Sequence, residues 1–154
     1  MRARVIPIAA VLALVAAAAS ANAAYAFSAR VNHVRTVYRG VLRAEYFGPA
    51  SAVCSRLTAA GVRSFTAGGA GTCRHAFRQQ QHILRHKTSG VDDSGFTAAG
   101  WRQEVKFVMA HLRVTVHGSH ASAIGGESGI PGRTTLVRVN GKWLFNSYPP
   151  SIQP

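Results

Sequence analysis

The chain has 154 residues, with 18 Lys and Arg against 5 Asp and Glu, and a formal net charge of +13. A field this positive attracts polyanions such as anionic lipid, anionic wall polymer or nucleic acid, while so few acids leave no paired-carboxylate arrangement for acid–base catalysis. The length allows one domain with a real core but small margins.

Residues 1–23 read as a secretory signal. Arg2 and Arg4 precede an apolar run from Val5 to Ala19, and Ala21-Asn22-Ala23 fits the A-x-A cleavage pattern. An uncleaved anchor is the competing reading, because the run approaches spanning length if it reaches Ala26. The expected location is therefore secreted or extracytoplasmic. The richness in Ala and Arg points to a high-GC bacterium. Export removes specific nucleic acid from the expected partners and leaves an anionic envelope surface among them. Without Arg2 and Arg4 the formal charge falls to about +11, and residues 24–154 form a single domain. A solvated basic surface that keeps an exported protein soluble accounts for the same charge.

From Ser28 to Phe47, Val34, Val37, Tyr38, Val41 and Leu42 recur at helical spacing and form one apolar stripe. Arg35, Arg39 and Arg43 fall four apart on another face, where they repel one another and are expected to meet solvent. Gly48-Pro49 breaks the helix, and Pro49 suits the first position of a second one running to about Leu57. Thr58 can cap a short turn through Phe65. The glycine-rich stretch 67–71 is a loop without the Lys-Ser/Thr of a phosphate cradle. Cys73 to His86 reads as a third helix with Ala76, Phe77, Ile83 and Leu84 buried. Residues 87–95 read as a loop.

Phe96 to Met109 fits two periods. Trp101, Val105, Val108 and Leu112 suit a helix; Val105, Phe107 and Met109 suit a strand. A short helical turn feeding a long strand is the expectation. Beyond it, Gly118-Ser119 turns a hairpin that sets Val114 and Val116 opposite Ala121 and Ala123. Asn140-Gly141 is the stronger signal, since both residues tolerate the positive φ of a type I′ turn. It pairs Val137 with Leu144, Leu136 with Phe145 and Arg138 with Trp143, the last a candidate cation–π contact. Apolar residues on both faces of this hairpin predict helices over one side and a cavity or dimer contact on the other. The fold class is α+β: three N-terminal helices packed on an antiparallel sheet of about four strands.

That order of elements resembles the nuclear transport factor 2-like superfamily, the cystatin-like α+β cone. The resemblance rests on a long first helix ending in RAEYFG, the cysteine segments AVCSRLTAAGVRSF and TCRHAF, the strand pair LRVTVHGSHASA and the closing hairpin LVRVNGKWLF. It covers residues 28 to 148 and implies a curved sheet wrapped into a cone. Gly48-Pro49 stands where many members carry a small acidic turn. The superfamily holds isomerases, dehydratases, cyclases and non-catalytic binding domains, so fold alone does not choose among them.

The two cysteines, Cys54 and Cys73, read as a disulfide between the second and third helices. Export favours pairing, and neither has the neighbours of a zinc site; a metal half-site or a catalytic thiol is the competing reading. His75, His82 and His86 share a helix face about 140° from the apolar stripe, and His117 and His120 face each other across a turn. Both groups read as solvated. Superfamily enzymes use a buried Asp or an Asp–His set. Here Asp92 and Asp93 fall in a loop, Glu45 ends a helix and Glu127 sits among glycines. Glu104, beside Trp101 and Val105, is the one acid near a cavity wall. Tyr38, Phe77, Trp101, Trp143 and Phe145 are candidate pocket-lining residues, with core as their alternative role. No catalytic residue, metal site or cofactor is assigned. The functional expectation is a non-catalytic binding or accessory domain for a small apolar ligand or an envelope partner, with a homodimer through the sheet as one assembly. The alternatives are an isomerase or dehydratase-like enzyme and a basic adhesion module for anionic envelope polymers.

Overall fold

A computed structural model of the chain describes residues 8–66, 71–86, 97–125 and 133–148, with side chains from residue 24 onward. Among the described residues are five helices, α1 (Ile8–Phe47), α2 (Ala50–Cys54), α3 (Ala59–Phe65), α4 (Cys73–Arg85) and α5 (Ala98–His111). Four strands follow, β1 (Arg113–His117), β2 (His120–Ile124), β3 (Arg133–Val139) and β4 (Lys142–Ser147), in one antiparallel sheet of order β1-β2-β3-β4. The class is α+β. The loops expected over 67–71 and 87–95 lie outside the described residues apart from Gly71, as do Asp92, Asp93 and Glu127. Among the described residues no helix is long and apolar enough to cross a membrane.

The expected three helices become five, for local reasons. α1 begins at Ile8 rather than Ser28. α2 stops at Cys54 instead of Leu57, because Leu57 forms a parallel bridge to Phe145. Threonines then start the next three helices. Thr58, Thr72 and Thr97 accept from the backbone N–H groups of Gly61, His75 and Gly100, satisfying donors that a helix start leaves open. The cap at Thr97 decides the ambiguous segment. Residues 98–111 are a full helix, not a turn feeding a strand. The helical face Trp101, Val105, Val108 and Leu112 is buried, whereas Phe107, which a strand would have buried, is 44% exposed.

The two hairpins have the expected registers. Val114 pairs with Ala123 and Val116 with Ala121. Val137 pairs with Leu144, Leu136 with Phe145 and Arg138 with Trp143. Asn140 and Gly141 both hold positive φ, 49° and 78°, as a two-residue turn with the sheet's own twist requires. Arg138 Nε donates to the Gly141 carbonyl at 3.4 Å. Among the described residues the cation–π contacts are Arg85 on Tyr46 and Arg102 on Phe47 rather than Arg138 on Trp143.

The core lies between the sheet's inner face and the helices. Val34, Tyr38, Val41 and Leu42 of α1 meet Ala123, Leu136, Trp143 and Phe145 of the sheet in one buried cluster. On the outer face Val137 and Leu144 are half-buried and the rest is mainly polar or exposed. The helical half is stitched to the sheet at Phe145. Its N–H donates to the Arg56 carbonyl at 2.7 Å, and its carbonyl accepts from Thr58 N–H at 2.9 Å. α3 runs so close to this strand that a Cβ on Gly61 would sit 2.2 Å from the Phe145 carbonyl oxygen. Gly61→Ala therefore forces the helix off the strand, and urea denaturation should report a loss of about 1–3 kcal/mol. An unchanged midpoint would show that α3 can move without cost.

Cys54 and Cys73 form the disulfide, with Cα atoms 6.0 Å apart, joining the end of α2 to the start of α4. Closing a loop of 19 residues restricts the unfolded chain by about 3 kcal/mol in the chain-entropy account. The Cys54→Ser/Cys73→Ser variant should melt roughly 10 °C lower. Equal melting temperatures, measured by circular dichroism on oxidised protein, would remove the bridge from the stabilising interactions.

Candidate functional site

The five aromatic residues with a candidate pocket role, Tyr38, Phe77, Trp101, Trp143 and Phe145, are all buried in the core. Tyr38 touches Phe145 and Tyr148, with ring centroids at 5.7 and 6.4 Å. Trp101 Nε1 donates to the Leu42 carbonyl at 3.0 Å and its ring stacks near Tyr46. None of the five lines either of the surface hollows described below.

Inside this core sits a carboxylate that its position in the sequence hides. Glu45, at the end of α1, is 1% exposed and accepts from the Tyr148 hydroxyl at 2.6 Å. Burial raises the Tyr38 hydroxyl above its ordinary 10.0; the Thr134 side chain works against the rise, and the Glu45 charge adds to it. Phe65 and Phe145 pack on Tyr148, with centroids at 6.1 and 4.9 Å. The cluster joins the C-terminal end of α1 to the end of the sheet. Glu104 is half-buried on α5, and its Oε1 is buried without a hydrogen-bond partner among the described residues.

The histidines lie apart from this cluster. His75, His82 and His86 are exposed on α4, the last two with ring centroids 5.0 Å apart. His117 and His120 are opposed at the β1–β2 turn and border a hollow of about 350 Å³ on the outer sheet face, with Ser122, Arg133, Thr135 and Asn146. Among the described residues no group of three or more His, Cys, Asp or Glu is placed to hold a metal.

Among the described residues a groove of about 490 Å³ lies between α1 and α5. Its floor is Phe47, Val105, Met109 and Ala110, and its banks carry Arg39, Arg43, Arg102 and Lys106. That volume falls within the range of ligand sites. Two pins hold the banks in place. Trp101 reaches the Leu42 carbonyl at one end; Arg35 donates to the Met109 and Leu112 carbonyls at the other, the Leu112 bond being 2.6 Å. The contacts run in opposite chain directions, so the helices are antiparallel. Arg35 thus caps the exposed carbonyls ending α5 and does not simply face solvent.

No family model, curated protein or solved structure matches this chain.

The groove therefore has to be read from its own chemistry. Arg39 and Arg43 are one turn apart on α1, as are Arg102 and Lys106 on α5. Like charges at this spacing destabilise their own helix by about 0.2–0.5 kcal/mol per pair. Among the described residues no carboxylate lines the groove to offset them. One cation is already engaged: the Arg102 guanidinium lies 5.1 Å from the centre of the Phe47 ring. Phe47 is itself 44% exposed. The arrangement can seat an apolar group on the floor and anions along the banks. The signal for it was present in the sequence as two four-residue spacings, one of them inside the segment expected to become a strand.

Tyr38 supplies a test of the inner cluster. A hydroxyl whose folded-state value is raised contributes stability that is complete below pH 10 and is lost as the pH climbs through the raised value. The melting temperature of the natural protein should fall more steeply above pH 10 than that of Tyr38→Phe. Parallel curves would mean that the hydroxyl is solvated in the folded state.

Proposed function

We propose that the chain is an exported, disulfide-stapled, non-catalytic binding domain of the nuclear transport factor 2-like type. Its binding site on this reading is the α1–α5 groove rather than the interior of a cone. The observation that carries the proposal is the pairing of an apolar floor with four cations and, among the described residues, no carboxylate. Such a site recognises a partner that carries apolar surface and negative charge together.

The disulfide supports export, since bridges of this kind persist in oxidising compartments. The superfamily part of the proposal rests on the sequence resemblance; the structure adds the α+β class and a four-stranded antiparallel sheet. The enzyme alternative would draw its acid from Glu104, which is half-buried on α5 and lines neither hollow. The other described acid, Glu45, is buried and accepts from the Tyr148 hydroxyl, which fastens α1 to the sheet end. The adhesion alternative uses the banks but leaves the apolar floor without a role.

The test uses 1-anilinonaphthalene-8-sulfonate, an anionic aromatic probe. Its fluorescence should rise saturably with the folded protein, fall as salt is added, and drop at least fivefold in affinity in Arg39→Gln/Arg43→Gln with near-UV circular dichroism unchanged. Probe binding that ignores both salt and these substitutions would contradict the groove as the site.

A further inference from the structure

We propose that the groove docks an acidic amphipathic helix of a partner protein, its apolar stripe seated on Phe47, Val105 and Met109 and its carboxylates paired with the two cation rows. The proposal rests on the groove being the binding site and adds the identity of what fills it.

The spacing of the cations matches a helix. Arg39 and Arg43 on one bank, and Arg102 and Lys106 on the other, each repeat at one helical turn, a rise of about 6 Å. An amphipathic helix with Glu or Asp at i and i+4 on both sides of its stripe repeats its charges at the same rise. Laid between α1 and α5 it becomes the third helix of a bundle, with flanking charges paired as across a coiled coil. The pins at Leu42 and at Met109–Leu112 hold the banks at a fixed separation, so the receiving surface exists before the partner arrives.

The charge count narrows the occupant further. A single-headed amphiphile brings one anion and leaves most of the four cations facing one another. A flat anionic bilayer can meet the banks and the exposed Phe47 ring but follows the groove poorly, since Val105 and Met109 are set back at 7% and 5% exposed. A polyanion without an apolar face leaves that floor wet. Among the described residues a second copy of this chain offers no matching element. Of its 5 acids, Glu45 is buried in the core and Glu104 is half-buried with one oxygen enclosed; Asp92, Asp93 and Glu127, outside the described residues, do not fall at i and i+4. A different protein that presents several carboxylates along an apolar stripe supplies the complement.

The experiment is fluorescence anisotropy at physiological ionic strength with the oxidised protein and labelled 18-residue peptides. One peptide carries leucines at helical spacing flanked by glutamates at i and i+4. A second has the same composition scrambled, and a third replaces the flanking glutamates with lysines. Vesicles of phosphatidylglycerol and phosphatidylcholine form the competing arm. The patterned acidic peptide should bind at least tenfold more tightly than the scramble and become helical on binding. Arg39→Glu/Arg43→Glu should weaken it at least tenfold and gain affinity for the lysine-flanked peptide. Equal binding of pattern and scramble would overturn the proposal in favour of charge alone, and vesicle binding without peptide binding would overturn it in favour of a membrane surface. If the anilinonaphthalene probe binds at the groove and no peptide does, the helix partner is wrong while the groove reading stands; if neither binds, both fall.

Discussion

The fold depends on one short contact, the parallel bridge between Leu57 and Phe145. Phe145 lies in β4, and its backbone donates to and accepts from the segment that ends α2 and starts α3. That exchange brings a helical connection into sheet-like register with a strand, which only works because Gly61 has no side chain. Everything near it follows. The Phe145 ring is held against Tyr38, Tyr148 comes to rest over Glu45, and the disulfide fastens the preceding helix to α4. With α2, α3 and α4 committed to that end, α5 packs along α1 and the two helices leave a groove open between them.

The electrostatics divide along the same line. The described acids are drawn into the interior or half-buried, while the described arginines other than Arg35 stay exposed. Glu45 satisfies Tyr148 in the core, where an unpaired carboxylate would be costly. Arg35 serves the end of α5. Among the described residues the remaining cations of the groove face no carboxylate along its lining, so each row costs its helix stability instead of adding to it. A surface that sacrifices helix stability beside an apolar floor is better explained by recognition than by solubility, because solubility needs charge but no particular arrangement of it.

Much of the fold was legible because its signals are local. Asn140-Gly141 fixes a turn and hence every pair in the last hairpin; Gly118-Ser119 does the same for the first. Thr58 announces a helix start within three residues of itself. The cysteines could be paired from the expected compartment and from the lack of zinc-site neighbours around either one. What escaped depended on partners far along the chain. Residues 98–111 carry both a helical and an alternating pattern, and the helix wins because its Trp101 face finds the Leu42 carbonyl 59 residues away. Glu45 looked like a helix-end acid; its burial is set by Tyr148, 103 residues on. The groove was missed for the same reason: its second bank exists only if residues 98–111 are helical.

The central claim is that ligands meet this protein between α1 and α5 and not in the aromatic interior. Amide chemical-shift mapping of the isotope-labelled protein, titrated with the anilinonaphthalene sulfonate, tests it most directly. The account predicts perturbations concentrated at residues 39–47 and 102–110, with the inner sheet face silent. Shifts centred instead on Tyr38, Trp143, Phe145 and Tyr148 would place the ligand inside the fold and contradict it.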